Sequence, residues 1–304
     1  MAPQLQIIIS LFGCASVLAQ AAPIPAPELV IDPVTGDVEL SLPTELDIEY
    51  TLERSTALSG WTPIGETLLG NTLPRMIVQP APVPARQFFR VQADTEFEID
   101  ATTFGYGEPG RTWVYEFTQT FQNDGTISRQ DEYDETRVIS GPVDRNGILS
   151  YDLTSFDESG AEVFVGYFAA DFSEGIFAVG SRDPSGILEE TFNEPPSPEI
   201  TSTFTPGVEQ ESTSTNTFLG ETTTVLKISI HPGSLTVPAG TFQEVIYVNS
   251  TTTAMTFVGP LEDVVQTWWV RGIGPIRIER DTTFNNAEEP SVIQRSMMIS
   301  VTPG

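Results

Sequence analysis

The sequence predicts a nearly all-β protein, and three observations support this fold class. The 24 prolines and 24 glycines are spread between short apolar stretches rich in Thr, Val, Ile and aromatic residues, as in strands separated by turns. Several of these stretches alternate apolar and polar residues, which is typical of strands with one buried face. No window carries a helical period of useful length, so helices should be few and short. With 304 residues, 39% of them hydrophobic, the chain can bury one large core or two smaller ones.

The N-terminal segment 1–21 is typical of a secretory signal peptide. Its apolar stretch is too short to span a membrane and is followed by the small residues of Ala19-Gln20-Ala21, which favour cleavage after Ala19 or Ala21. A rival interpretation takes Leu11-Phe12-Gly13-Cys14 as a lipoprotein processing box, but Phe12 is bulky for its place. We therefore expect a secreted, periplasmic or cell-envelope protein, with lipid anchoring through Cys14 disfavoured and no integral membrane segment in the mature chain.

A first module is predicted at 28–93, after a stiff proline-rich spacer at 22–27. The strand Tyr50-Thr51-Leu52-Glu53-Arg54-Ser55 alternates apolar and polar residues, and it precedes Trp61-Thr62-Pro63-Ile64-Gly65 and Phe88-Phe89-Arg90-Val91. This order resembles the small fibronectin-III-like sandwich modules of many exported bacterial proteins. The resemblance implies a spacer or interaction module, because such modules rarely carry chemistry.

A second module is predicted at 111–304, after a linker and first strand approach at 94–110. Trp113, Tyr115 and Phe117 alternate with polar residues, which places three aromatic side chains on one face of its opening strand. Asn123-Asp124-Gly125 is a turn signal that should reverse this strand into the next one. The pattern predicts a large curved antiparallel sheet or open barrel.

Further strands of the second module follow from the same alternation. They are expected at 163–168, 175–179, 226–230 and 276–278, with 213–224 as an exposed strand. The proline-rich run Glu194-Pro195-Pro196-Ser197-Pro198 is expected to break the strand pattern.

Two motifs close the second module, and a third opens it. The closing motifs are Val237-Pro238-Ala239-Gly240-Thr241-Phe242 and the stretch from Thr267 to Glu279, which reads TWWVRGIGPIRIE. The opening motif, Pro109 to Phe117, reads PGRTWVYEF. Together they resemble the TapB-like family of exported β-rich proteins of unknown function. The resemblance implies a β-rich fold and an exported location, and it implies no reaction.

The charge balance limits the partners. With 42 acidic and 14 basic residues, the formal net charge is −28, and Lys227 is the only lysine. Such a charge repels phosphate backbones and anionic lipid surfaces, and no run of the chain collects its arginines into a basic patch. We expect no nucleic-acid partner. The partner is otherwise unknown, with an envelope or extracellular protein or polysaccharide left open.

Catalytic motifs are scarce. His231 is the only histidine, Pro232 marks the end of its strand, and no Gly-x-Ser-x-Gly elbow accompanies it. The mature chain has no cysteine, and no Asp-x-Asp-x-Asp-Gly loop occurs, so we expect no metal site and no cofactor. We also expect no catalytic residues.

Adjacent carboxylates occur at Glu189-Glu190, Glu262-Asp263 and Glu288-Glu289. Glycosidase-type catalysis needs two carboxyl groups at a defined separation across a cleft, whereas neighbouring strand residues point to opposite faces. We interpret these pairs as solvated charges.

Trp268 and Trp269 are adjacent on a predicted strand, so one ring should point inward and the other outward. The outward ring is the one aromatic ligand contact that we nominate. The face that carries Trp113, Tyr115, Phe117, Ile228 and Ile278 is expected to be packed rather than hollow, because no long amphipathic helix is available as a lid.

These observations favour an exported, non-enzymatic binding or scaffold protein. Two alternatives stay open: a carrier of an apolar ligand in the concave face of the sheet, and a carboxylate-dependent hydrolase. A lined, empty cavity would favour the carrier, and two convergent buried carboxylates would favour the enzyme.

Overall fold

The computed structural model describes residues 6–9, 28–31, 37–57, 59–65, 67–79, 86–123, 126–145, 147–171, 174–184, 190–256, 259–284 and 291–304. They form two compact units, Met1–Phe97 and Glu98–Gly304. The all-β class is confirmed, since the one helical element in these ranges is a single 3-10 turn, Ala101–Phe104. The predicted cleavage sites, Cys14 and the spacer 22–27 lie outside the described residues.

The first unit contains two small sheets that enclose an apolar core. Its strands are β1 (Gln6–Ile9), β2 (Glu28–Ile31), β3 (Val38–Leu42), β4 (Glu49–Ser55), β5 (Thr62–Pro63), β6 (Leu68–Leu69), β7 (Arg75–Gln79) and β8 (Arg86–Asp94), and β9 (Phe97–Glu98) lies at the unit boundary. One sheet has the order β1-β8-β4-β5 with β6 also paired to β4, and the other has the order β2-β3-β7. Leu40 and Leu42 of β3 pack in one cluster with Tyr50, Leu52 and Phe89 of the other sheet. The alternation predicted for β4 therefore marks a half-buried strand, as expected.

The second unit is dominated by a closed antiparallel barrel. Its strands are β10 (Thr112–Asn123), β11 (Thr126–Arg145), β12 (Ile148–Phe156), β13 (Glu162–Asp171), β14 (Gly175–Arg182), β15 (Thr191–Thr201), β16 (Thr203–Phe204), β17 (Glu209–Asn216), β18 (Gly220–Ile230), β19 (Leu235–Val237), β20 (Gly240–Phe242), β21 (Ile246–Thr256), β22 (Gly259–Val270), β23 (Gly274–Phe284) and β24 (Ser291–Thr302). Twelve of these described strands form the barrel, in the order β10-β11-β12-β13-β14-β15-β17-β18-β21-β22-β23-β24.

The barrel closes because β10 pairs on both sides. Its residues pair with β11 from Thr112↔Val138 to Asn123↔Thr126, and with β24 from Thr112↔Thr302 to Gln122↔Ser291. The predicted curved sheet is therefore present, but it is closed rather than open. Closure removes the two sheet edges that would otherwise expose unpaired backbone groups.

The predicted alternation and turns are confirmed where the sequence was most regular. Trp113, Tyr115 and Phe117 are 1%, 0% and 6% exposed, which shows that they share the buried inner face of β10. The pairing Asn123↔Thr126 confirms the reversal between β10 and β11. Leu226 is likewise buried on β18, whereas its neighbour Lys227 is exposed.

Two expectations about irregular segments are wrong. The proline-rich run 194–198 does not interrupt the sheet but lies inside β15. Gly180 pairs with Phe192 and Ala178 pairs with Ser197, so residues 193–196 lie opposite a single residue and form a bulge. A proline in a bulge has no ladder hydrogen bond to donate, which removes the usual objection to proline in a sheet.

The second wrong expectation concerns residues 213–224, which form the hairpin between β17 and β18 instead of one exposed strand. Ser214 and Thr222 are 6% and 5% exposed, and their hydroxyl groups lie 2.8 Å apart. The Thr and Ser side chains on this face are thus part of the barrel interior, which the composition of the segment did not indicate.

One end of the barrel is covered by residues 99–111, here called the capping segment. Gly272 N–H donates to Thr103 O at 2.8 Å, and Arg111 Nη1 donates to the carbonyl oxygens of Gly272 at 2.8 Å and Ile273 at 3.2 Å. Phe104 is fully buried and meets the Trp269 ring edge-on, with the ring centroids 5.4 Å apart. The capping segment, assigned to a linker by sequence, therefore packs into the second unit.

Candidate binding site in the barrel lumen

The barrel encloses a cavity of about 460 Å³, here called the lumen. Eleven of the twelve barrel strands contribute lining residues, together with Tyr106 of the capping segment. Phe117 and Ile278 line this space, so the expected packed face is wrong at these positions. A barrel of about eight strands is just filled by its own side chains, and a larger circumference leaves room at the centre.

Part of the lumen wall is aromatic and aliphatic. Phe117 and Tyr133 are neighbours on β10 and β11, with ring centroids 4.8 Å apart, and both line the cavity. Val265 and Ile278 contribute aliphatic surface from β22 and β23. These side chains lie inward because each occupies an alternate position of its strand. The wall can therefore hold the apolar part of a bound molecule.

A buried ion pair lies on β11 towards the capping segment. Arg137 Nη2 donates to Glu135 Oε2 at 2.7 Å and to Ser296 Oγ at 3.1 Å, and the guanidinium lies 4.6 Å from the centre of the Tyr115 ring. Glu135 is only 4% exposed. The guanidinium neutralises this carboxylate, and the two side chains act as one uncharged unit in the wall.

A second ion pair lies further along the lumen. Arg280 Nε donates to Asp263 Oδ1 at 2.8 Å, and Thr282 Oγ1 donates to the same oxygen at 2.7 Å. The Arg280 side chain is 44% exposed although the barrel surrounds it, because it lines the cavity. This pair is therefore more open to the lumen than the pair on β11, mainly through its arginine.

Glu199 of β15 reaches the lumen close to this second pair. Burial raises the pKa of Glu199 to about 7, while nearby Arg280 lowers it and nearby Asp263 raises it. No hydrogen bond joins its carboxylate to any described residue, whereas Asp263 has two donors. A carboxylate in this environment can change its charge near neutral pH.

Two buried donors in the lumen wall lack acceptors among the described residues. They are Trp269 Nε1 and Arg137 Nε, and both side chains line the cavity. Tyr106 lies near them, with its ring centroid 5.4 Å from that of Trp269. Burial raises the pKa of Tyr106, Arg137 lowers it and Glu199 raises it, which shows that these charges converge at the tyrosine.

The two nominated tryptophans lie on opposite sides of the barrel wall. Trp269 points inward and lines the lumen. Trp268 lies on the outer side, where its ring centroid is 5.1 Å from that of Tyr247 and the Arg277 guanidinium lies 4.6 Å from the ring. Trp268 is only 8% exposed, so its ring is not an open stacking platform. A ligand contact by either ring remains a prediction.

The charged residues of the lumen were missed by the sequence analysis. Asp263 was considered only as half of an adjacent pair of solvated charges. The two side chains lie on opposite faces as expected, with Glu262 exposed outside, but the solvated interpretation is wrong for Asp263, which lies in the lumen and is paired with Arg280. Of the other adjacent pairs, Glu189 and residues 288–289 lie outside the described residues. The signal that could have found Glu135 and Arg137 is their inward register, since they pair with Tyr115 and Trp113.

His231 lies just after β18, away from the lumen lining. Its backbone N–H donates to Val245 O at 2.8 Å, and burial together with nearby Arg277 lowers the pKa of its imidazole. In the described part of the chain, no three His, Cys, Asp or Glu residues are grouped so that they could hold a metal ion. The described residues also contain no helix of the length and apolarity that a membrane span requires.

Comparison with known proteins gives no family for this chain. No family model matches it, and no curated protein matches it. Neither the TapB-like resemblance nor the fibronectin-III-like resemblance is therefore shown.

Two solved structures are similar to part of the chain. One is a "putative lipoprotein" from Parabacteroides distasonis ATCC 8503, with 12% identity and a TM-score of 0.34, covering 69% of this chain and 100% of the other. The second is a "putative exported protein with YmcC-like fold" from Bacteroides fragilis NCTC 9343, with 11% identity and a TM-score of 0.32, covering 68% of this chain and 99% of the other. Likeness at this level carries no conclusion about function or location.

Proposed function

We propose that this chain is an exported, non-enzymatic binding protein whose barrel holds one small amphipathic ligand. The observation that carries the proposal is the lumen of about 460 Å³, which lies in the size range of ligand pockets. Its wall combines aromatic side chains with a few charged groups. Ligand pockets use this combination, because apolar surface supplies affinity and placed polar groups supply orientation.

The lumen wall favours an amphipathic ligand over an apolar one. A hydrocarbon in the lumen would remove two charged groups from contact with water: the guanidinium of Arg280, which is 44% exposed, and the carboxylate of Glu199, which lines the same cavity. Stranding a buried polar group costs about 1–3 kcal/mol, and more for a charged group. The carrier of a purely apolar ligand is for this reason the weaker form of the proposal.

A hydrolase is the second candidate, and one observation favours it. Glu199 and Asp263 are close enough to repel each other, and the pKa of Glu199 is raised to about 7, which suits a general acid. Against it, Asp263 is held by Arg280 and Thr282 and is not free to accept a proton. Hydrolysis of an aryl glycoside by the wild-type protein, lost in Glu199→Gln, would move the hydrolase ahead.

The proposed function can be tested with a substitution on one strand that fills part of the lumen. Ser250 lines the cavity from β21, and Thr251, the next residue, points to the outer side of the barrel. Ser250→Phe places a ring in the cavity, and Thr251→Phe is the matched control. The probe is the neutral fluorophore N-phenyl-1-naphthylamine, whose emission rises when it leaves water.

We expect the probe to bind the wild-type protein and Thr251→Phe with one site, and to bind Ser250→Phe at least about tenfold more weakly, a loss of about 1.4 kcal/mol. Native mass spectrometry of the protein from its own source should show a small-molecule adduct. Equal binding to all three proteins would place the probe outside the lumen. No binding by any of them, with only the bare polypeptide mass, would refute the proposal.

A further inference from the structure

The charges that line the lumen do not balance. The described lining residues include three carboxylates, Glu135, Glu199 and Asp263, and two guanidinium groups, Arg137 and Arg280. Each guanidinium is hydrogen-bonded to one carboxylate, Arg137 to Glu135 and Arg280 to Asp263. Glu199 is the carboxylate left over. When all five groups are ionised, the lumen carries one uncompensated negative charge.

The surroundings of Glu199 do not supply a second cation. The titratable groups that act on it are Arg280 of β23, Asp263 of β22 and Tyr106 of the capping segment. Arg280 is already hydrogen-bonded to Asp263, and Tyr106 is a neutral phenol at physiological pH. The adjacent strands β14 and β17 add Ala178 and Asn216, which carry no charge. A cation that satisfies Glu199 must therefore enter with the ligand.

The structure favours an organic cation over a metal ion. A hard metal ion would require several oxygen ligands, and the described residues hold no cluster of three candidate ligands. An ammonium group needs one carboxylate and a few acceptors, and an apolar body attached to it can contact the rings of Phe117 and Tyr133 in the same lumen. The formal net charge of −28 also attracts cations towards the protein.

We infer that the lumen ligand carries an ammonium group, which pairs with the carboxylate of Glu199, on an aromatic or aliphatic body held by the apolar part of the wall. This inference rests on the proposed function, because it names the class of molecule that the lumen binds.

The inference makes binding depend on pH in a defined direction. Glu199 must be ionised to pair with an ammonium group, and its pKa is raised to about 7 by burial. The affinity for an amine should therefore rise as the pH increases through about 7, and a neutral isostere should show no such rise.

The experiment compares 3-phenylpropan-1-amine with 3-phenylpropan-1-ol, which differ only in the end group. Both are titrated at about pH 8, where Glu199 is ionised and the amine is still protonated, by displacement of N-phenyl-1-naphthylamine. The proteins are the wild type, Glu199→Gln and Glu262→Gln. Glu262 is exposed on the outer side of β22, so its substitution makes the same charge change outside the lumen.

In the wild type and in Glu262→Gln, the amine should bind about tenfold more tightly than the alcohol, as expected for a charge-assisted pair. In Glu199→Gln the ratio should fall to about one, and in the wild type it should fall in the same way at about pH 5.5. The pH measurement tests the inference even if Glu199→Gln fails to fold.

Equal affinities for amine and alcohol in the wild type would overturn the inference, as would a ratio unchanged by Glu199→Gln. If the fluorophore is still excluded by Ser250→Phe in that case, the proposed lumen function stands. Failure of every probe to bind would overturn both.

Discussion

The capped end of the barrel and its lumen are built from the same strands, but their interiors differ. At the capped end, Trp113 and Tyr115 are almost fully buried, and Trp113 Nε1 donates to Ile273 O at 2.7 Å. Further along β10, Phe117 and Gln119 instead line the cavity. The difference shows that alternating strands make an inner face but do not fill it. At the capped end, residues from outside the barrel strands, such as Phe104, complete the packing.

Small residues at several lumen positions explain where the open space lies. Gly166 and Gly180 of β13 and β14, together with Ser197 and Ser250, line the lumen with very little volume. Gly180 has no room for a larger residue, since a Cβ atom there would lie 2.1 Å from Thr191 O. Large side chains such as Phe164 and Phe168 line the same lumen from β13, so the cavity lies where these small residues leave the space between the large ones unfilled.

The sharpest test of this comparison removes a large side chain from each region. Trp113→Ala should lower the free energy of unfolding by about 3–5 kcal/mol, because it leaves a cavity and removes a buried hydrogen bond. Gln294→Ala, at a lumen position that already faces space, should cost less than about 0.5 kcal/mol. Urea unfolding followed by tryptophan fluorescence and circular dichroism measures both values. Similar costs at the two positions would mean that the lumen is packed.

Removal of the arginine should lower the free energy of unfolding more for the buried pair on β11 than for the pair that is more open to the lumen. Arg137→Ala leaves Glu135, which is 4% exposed, without its cation and should cost about 3 kcal/mol of unfolding free energy. Arg280→Ala leaves Asp263 beside the open lumen and still hydrogen-bonded to Thr282, and it should cost less, about 1 kcal/mol. Added salt should weaken the second effect more than the first. The reverse order in urea unfolding would contradict an open lumen.

Backbone strain separates two turn glycines. Gly274 has a φ of +103°, and a Cβ atom there would lie 2.7 Å from Phe104 O of the capping segment. Gly274→Val should therefore cost about 2 kcal/mol or more. Gly240 has a φ of +145° but open space around it, so Gly240→Val should cost about 1 kcal/mol. Thermal unfolding of the two variants ranks them. If Gly274→Val left the stability unchanged, the capping segment would be able to move away from the added side chain.

The smallest effect concerns Glu199. Its pKa in the folded protein is about 7, against an ordinary value near 4.5, so the unfolded chain loses this proton first as the pH rises. The folded state is therefore disfavoured progressively between these two pH values. A shift of this size corresponds to a loss of about 3 kcal/mol for a fully desolvated group, and because the half-buried side chain of Glu199 lies against the open lumen we expect a smaller loss of about 1 kcal/mol. The free energy of unfolding is measured against pH for the wild type and Glu199→Gln, and the difference between the two curves gives the contribution of Glu199. Glu262→Gln is the control. A flat difference would show that Glu199 titrates normally.

The sequence by itself determined the local features of this protein. The all-β class, the inner face of β10 and the reversal at 123–126 follow from alternation and turn residues, which act over a few positions. The opposite faces of Glu262 and Asp263 follow from the same alternation. The position of the prolines inside β15 could not be predicted in this way, because the bulge opposite Val179 depends on the neighbouring strand.

Only the tertiary structure decided that the barrel closes and that its lumen is hollow. Closure joins Thr112 to Thr302, residues at opposite ends of the second unit, and no local pattern specifies such a pairing. The meeting of Glu199 with Arg280, Asp263 and Tyr106 depends in turn on that closure. A residue's own strand decides whether it points inward. The number of strands and their long-range register decide what it meets there.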